Sequence, residues 1–193
     1  MAKRVYFALD YEDVSDFRAN VVRKHNFASG VEKAGYFDAS VWEEAKKQDP
    51  TSLKRLINAE LEYTSVTAVL IGAGTWNRRW VRYEIMKSIE RGNRVFGIHI
   101  NSIRDKNENT KTFGPNPLDN LGLTISEDGK CARPTEWNGQ EWIWYSDLDN
   151  FAVAEQPLSN RNKHLRLSHW CSVHDWIADC GYQNFTRWVG NSN

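Results

Sequence analysis

Val66-Thr67-Ala68-Val69-Leu70-Ile71-Gly72-Ala73-Gly74 decides the fold. A run of apolar and β-branched residues closed by glycines predicts a strand covered on both faces, as in a parallel sheet flanked by helices. Just downstream, Trp80, Tyr83, Ile85, Met86 and Ile89 recur at helical spacing and predict a helix over about 78–91. Gly92 stands where a left-handed C-cap belongs. Val95-Phe96-Gly97-Ile98-His99-Ile100 repeats the buried-strand pattern, and Val5-Tyr6-Phe7-Ala8-Leu9 carries it at the start of the chain. Strands alternating with helices over residues 1–120 imply βαβ units and a parallel sheet.

The other elements are placed around these. Val14, Phe17 and Val21 predict a helix over about 14–24, followed by a loop over 25–35 and a short strand, Tyr36-Phe37-Asp38, ending in a carboxylate. Asp49 as N-cap and Pro50 at the first helical position open a helix whose apolar face is Leu53, Leu56, Ile57 and Leu61. Residues 101–120, with Gly114-Pro115-Asn116-Pro117, read as a long surface loop. Turn signals at Asp128-Gly129 and Asn138-Gly139 predict β-hairpin structure over 122–145. Trp170, Val173, Trp176, Ile177 and Cys180 predict a further helix ended by Gly181, and Phe185, Trp188 and Val189 a last short one.

Composition narrows the function classes. The 193 residues suffice for one α/β domain with a modest appendage. With 25 basic and 25 acidic residues the net charge is zero, which removes any bulk electrostatic case for nucleic acid or a membrane as partner. No apolar run reaches bilayer length and the short Val5–Leu9 stretch is no signal peptide, so a cytoplasmic location is expected. Three cysteines, Cys131, Cys171 and Cys180, are too few and too odd for a disulfide scaffold. His169-x-Cys171-x-x-His174 has the residue types of a zinc site at a non-standard spacing, so no metal is expected; Cys180 reads as buried and inert and His99 as a hydrogen-bonded core histidine. Six of the nine tryptophans lie at or beyond Trp137, which sets the last third of the chain apart.

In an open parallel sheet, ligands bind outside the carboxyl ends of the strands. Leu9-Asp10-Tyr11, Asp38-Ala39-Ser40 and the segment Gly72 to Trp80 reach that edge, and Glu84 lies within two turns of the helix that follows. Glu84 is thus a candidate catalytic carboxylate, or a solvated helix residue beside Lys87 and Ser88. Phe7, Ala8, Asp10, Asp38, Arg78 and Trp80 are candidate substrate-binding residues. Phe7 and Ala8 equally suit strand packing, Asp10 and Asp38 turn caps, and Trp80 core packing. Arg78, Arg79 and Arg82 suit a pyrophosphate or a solvated helix start. Gly72-Ala73-Gly74 is no dinucleotide fingerprint, lacking the third glycine and the downstream acid.

Trp80-x-x-x-Glu84 after a small-residue loop, together with Val5-Tyr6-Phe7-Ala8-Leu9-Asp10-Tyr11-Glu12-Asp13, resembles the TIR domain family. Ala8 and Leu9 stand where the family has a Ser and an aromatic residue, as in divergent bacterial members. Phe37-Asp38-Ala39-Ser40-x-Trp42-Glu43, Asn77 to Glu90, Gly97-Ile98-His99-Ile100-Asn101, Gly114-Pro115-Asn116-Pro117 and Asp175-Trp176-Ile177-Ala178-Asp179 resemble the TIR proteins of bacterial Thoeris anti-phage systems over most of the chain. The resemblance implies a flavodoxin-like TIR-type α/β domain over 1–125 and a Trp-rich α+β extension over 126–193. It implies cleavage of the nicotinamide–ribose bond of NAD with Glu84 as catalytic residue, NAD being substrate and no cofactor being needed. The product would be a cyclic ADP-ribose isomer that signals to a separate NAD-consuming effector. A phage-derived activator and a homo-oligomer belong to the same picture. The competing expectation is a TIR-like interaction or nucleotide-binding module without chemistry.

Overall fold

The computed structural model describes residues 4–10, 17–28 and 49–190, residues 26–28 as backbone only. The expected strand at Tyr36–Asp38, and with it the candidate Asp38, lies outside the described residues.

Three strands form as the apolar runs predict: β1 (Val5–Leu9), β2 (Val66–Ile71) and β3 (Arg94–His99). They are parallel, with Val5 opposite Val66 and Leu70 opposite Ile98. A fourth parallel strand, β9 (Val173–Asp175), adds to β3 and completes the order β1-β2-β3-β9. Alternate residues of a strand face opposite sides, so each strand feeds two cores. Tyr6, Ala8, Val69 and Ile71 meet Leu53, Ile57 and Leu61 of α2 (Pro50–Leu61) and Val81, Ile85 and Met86 of α3 (Arg79–Glu90). Val5, Phe7, Leu70, Phe96 and Ile98 meet Ala19 and Val22 of α1 (Arg18–Ala28) and Phe185, Trp188 and Val189 of α4 (Gly181–Gly190).

Helix ends follow local chemistry. The Asp49 carboxylate accepts from the Ser52 amide at 2.8 Å, capping α2 ahead of Pro50. Gly92 has φ +77°, the left-handed C-cap that ends α3. Residues 14–16 of the helix expected over 14–24 lie outside the described residues; among the rest, α1 begins at Arg18, after an exposed Phe17 with φ +70°, and buries Ala19 and Val22, with Val21 packed partly against the same core.

Residues 121–166 build a second, antiparallel sheet. Its strands β4 (Leu121–Ile125), β5 (Cys131–Trp137), β6 (Trp142–Trp144) and β8 (His164–Arg166) run in the order β6-β5-β4-β8, and β7 (Phe151–Ala152) pairs with β5. Both predicted turns connect neighbouring strands, β4 to β5 and β5 to β6. Leu121, Leu123, Ile125, Ala132 and Tyr145 join the core beneath α2 and α3. The boundary expected between residues 125 and 126 falls between β4 and β5, which pair along five residues.

The helix expected over 168–180 does not form. Its residues make a 3-10 turn (Leu167–His169), β9 and a turn held by Asp175, whose Oδ1 accepts from the Ile177 and Ala178 amides at 2.8 Å each. The ladder wins because the Trp176 amide also donates to the His99 carbonyl, extending the parallel sheet. Cys180, read as buried, is exposed with φ +52°, and α4 starts immediately after it. His99 is buried, but its Nδ1 makes no hydrogen bond among the described residues, and its ring stacks on Phe113 at 4.0 Å.

Candidate active site

The loop after β2 shapes the edge of the sheet. The Gly72 amide donates to Thr75 Oγ1 at 2.8 Å, and Thr75–Asn77 makes one 3-10 turn before α3. This turn delivers α3 onto β1 and β2 with its apolar face inward. Ser88 pins the helix there, accepting from Thr67 Oγ1 at 2.8 Å and donating to the Glu84 carbonyl at 2.6 Å.

Glu84 therefore cannot point to solvent. It is 4% exposed. The Tyr6 hydroxyl, on β1, donates to Glu84 Oε1 at 2.6 Å. Glu84 Oε2 is buried and has no hydrogen-bond partner among the described residues. Burial pushes the Glu84 carboxyl up to about 8, against the opposing pull of the Tyr6 hydroxyl and the nearby Leu9 amide. A carboxyl in this setting holds a proton at neutral pH until a cation approaches, and then becomes a strong local anion.

The other candidates are distributed as follows. Asp10, at the end of β1, pairs with Arg78 Nε at 2.7 Å, so these two meet at the carboxyl edge, with Gly74 alongside. Ala8 is fully buried on the Tyr6 face of β1. Phe7 points to the opposite face and stacks on Phe185 at 6.2 Å, apart from the Glu84 side. Trp80 is half-buried, edge-on to Tyr83 at 6.2 Å with the Arg79 guanidinium over its ring. Arg79 and Arg82 are already engaged. Arg79 forks onto Asp147 at 2.8 and 2.9 Å, and Arg82 reaches Glu136 at 2.7 Å and the Trp76 carbonyl at 3.1 Å. Both bind the start of α3 to the antiparallel sheet. Cys171 is buried, its thiol pushed up to about 12 by desolvation, and His174 stacks flat on Trp188 at 4.3 Å.

Tyr6, Asp147 and Glu136 are the residues that the sequence reading missed. Tyr6 left a signal: a phenol inside a strand buried on both faces must find a partner for its hydroxyl. Asp147 and Glu136 left none, because only the folded chain brings them to α3.

A parallel sheet with a helix that returns a buried glutamate, four residues after a tryptophan, beneath the carboxyl edge defines a TIR-like domain. The chain belongs to the family of the Thoeris protein ThsB TIR-like domain, whose family model matches residues 6–105. It is also 54% identical, over 191 residues, to a Bacillus cereus (strain MSX-D12) protein provisionally named a cyclic ADP-D-ribose synthase, ThsB1. That match covers 98% of this chain and 100% of the relative.

Proposed function

We propose that this chain is an NAD-cleaving TIR enzyme of anti-phage defence that makes a cyclic ADP-ribose isomer, with Glu84 as its catalytic carboxylate. The observation that carries this reading is the Glu84 carboxyl group itself: buried against β1, anchored through one oxygen and, among the described residues, without a hydrogen bond at the other. The synthase name of the 54% identical relative supports the product class.

In the reaction, the bond between ribose C1″ and the pyridinium nitrogen breaks and its electron pair returns to the ring, releasing neutral nicotinamide. Positive charge develops on the ribose, as in glycoside cleavage. The Glu84 carboxylate stabilises that charge and receives a ribose hydroxyl at Oε2. An adenine nitrogen or a hydroxyl of the same molecule then attacks C1″ and closes the ring; a hydroxyl gives up its proton as it does so. The cationic nicotinamide ring favours ionised Glu84, so NAD binding expels the proton that burial retains. Asp10, Asp38, Arg78 and Trp80 remain proposed substrate contacts, whereas Ala8 and Phe7 are packed into the two cores on either face of β1. Arg78 would exchange its Asp10 partner for pyrophosphate, or hold both. We place the enzyme in the cytoplasm, as a homo-oligomer with a phage-derived activator, its product acting on a separate NAD-consuming effector. Among the described residues no helix is long and apolar enough to cross a membrane.

Purified protein is incubated with NAD, with and without extract of phage-infected cells, and nicotinamide and cyclic products are followed by chromatography. Wild type releases nicotinamide; Glu84→Gln, which keeps shape and the Tyr6 hydrogen bond, loses at least about 100-fold in kcat. Full activity in that variant removes Glu84 from the chemistry. Tight NAD binding with no turnover in any condition favours the non-catalytic module.

A further inference from the structure

The strand that lies against Glu84 spends a polar group where packing alone asks for none. Among Val5-Tyr6-Phe7-Ala8-Leu9, every side chain is buried and four are apolar. Phenylalanine at position 6 would fill the same space without a hydroxyl to satisfy. A buried phenol left unpaired costs about 1–3 kcal/mol, so the hydroxyl is tolerated because it has a partner. That partner is Glu84 Oε1, 78 residues away in the chain, at a separation of 2.6 Å. This is a short, well-formed hydroxyl-to-carboxyl hydrogen bond.

The two oxygens of Glu84 are therefore unequal. Oε1 is fixed by Tyr6, and Oε2 is buried without a hydrogen bond among the described residues. The Leu9 amide lies close enough to favour the charged form, yet completes no hydrogen bond to Oε2. The helix backbone is fixed separately, through Ser88 to the Glu84 carbonyl and to Thr67 on β2. With the main chain and one carboxyl oxygen both held, rotation of the carboxyl group is arrested and the second oxygen has one direction left.

We propose that Tyr6 is the positioning residue of Glu84: its hydroxyl anchors Oε1 and so presents Oε2 as the acceptor for a ribose hydroxyl of the substrate. This rests on the NAD-cleaving reading of Glu84 given above. Tyr6 itself touches no reacting atom. It acts through the carboxyl group, in two ways that separate experimentally. It sets the direction of Oε2, which governs kcat once substrate is bound. It also stabilises the ionised form of Glu84 in the free protein, which governs where activity rises with pH.

The test is Tyr6→Phe, which keeps the ring and removes the hydroxyl. Nicotinamide release falls about 10- to 100-fold in kcat with KM changed less than about threefold, because the interaction lost is made in the transition state. The acid limb of kcat/KM moves up by about one pH unit, since the carboxylate loses a donor. A merely structural tyrosine would lower the amount of active protein and leave that limb in place. An independent measurement needs no turnover. The carboxyl carbon of Glu84, identified in 13C-glutamate-labelled protein as the signal missing from Glu84→Gln, titrates about one unit higher in Tyr6→Phe. If Tyr6→Phe does not fold, 3-fluorotyrosine incorporation supplies a stronger phenol donor in an unchanged core, and the same signal titrates lower than in unlabelled protein. An unmoved Glu84 titration, or kcat within twofold of wild type, overturns the positioning role. A shifted titration in a protein that never releases nicotinamide overturns the NAD-cleaving reading and leaves the Tyr6 anchor standing.

Discussion

At the residue scale, Glu84 links the proposed function to stability. Its folded-state value, about 8, lies above the 4.5 of an ordinary glutamate. For an acid shifted this way, folding is favoured in full below the unfolded value, and the advantage is lost as pH rises through the folded one. The window is therefore from about 4.5 to about 8, and the whole effect is on the order of 5 kcal/mol at 1.36 kcal/mol per unit. Urea denaturation at pH 5, 7 and 9 should show wild type weakening as pH rises. Glu84→Gln, neutral throughout, should stay level and exceed wild type at pH 9. Equal slopes for both proteins would mean that Glu84 is solvated in the folded state. A buried carboxyl that must ionise to act, at a cost in stability, is common where activity and stability compete. This residue was legible in the sequence as a candidate, because Trp80-x-x-x-Glu84 follows a strand that ends in glycines. Its burial was not, because that depends on Tyr6, brought in from 78 positions away. A second residue-scale prediction concerns Gly114. A Cβ there would lie 2.0 Å from the Gly72 carbonyl oxygen, so the loop 112–117 crosses the end of β2 in direct backbone contact. Gly114→Ala must push that loop off the end of β2. It should cost about 1–3 kcal/mol by thermal or urea denaturation; an unchanged melting temperature would show that the loop does not press on Gly72.

At the element scale, what was legible follows from how many independent signals each element carried. β1, β2 and β3 are continuous apolar runs, and α2 and α3 pair an apolar face with a cap, Asp49 before one and Gly92 after the other. β9 is three residues long and only partly buried, and Val173-His174-Asp175 has no strand signature of its own. Trp170, Val173, Trp176, Ile177 and Cys180 mimic a helix by spacing alone. What decides between them is hydrogen bonding that spacing does not encode. Asp175 receives the Ile177 and Ala178 amides, and Ser102 donates to both of its oxygens at 2.8 and 3.0 Å. Asp175→Ala separates the two readings. In a helix, alanine is the better residue and would stabilise. In the observed turn the substitution strips three donors, the Ile177 and Ala178 amides and the Ser102 hydroxyl shared between both oxygens, from a half-buried carboxylate and should cost about 2–3 kcal/mol in denaturant unfolding. A neutral or stabilising outcome would favour the helix.

At the scale of the whole molecule, the chain leaves its parallel sheet, builds an antiparallel one, and returns. The family match ends at residue 105, well before β9 and α4. Yet the core on the α1 side is closed by those late elements: Trp176 and Phe185 are fully buried there, Trp188 nearly so, and Phe7 stacks on Phe185. Large aromatic side chains removed from a core cost about 3–5 kcal/mol each, and a domain of this size is stable by only about 5–15 kcal/mol. A chain cut after residue 125 would lose all three at once, together with the partner of β3 and the β5 partner of β4. It should therefore not fold, although it contains the whole family-matched segment and every candidate site residue. Circular dichroism and solubility of the 1–125 fragment against the full chain decide the matter. A soluble, cooperatively melting fragment would show that β1, β2, β3 and their helices close their core without the C-terminal return. Failure would mean that the TIR-like sheet is completed by residues 173–190, so that changes at Trp176 or Trp188 reach the Glu84 side through the strands they cover rather than through any contact with substrate.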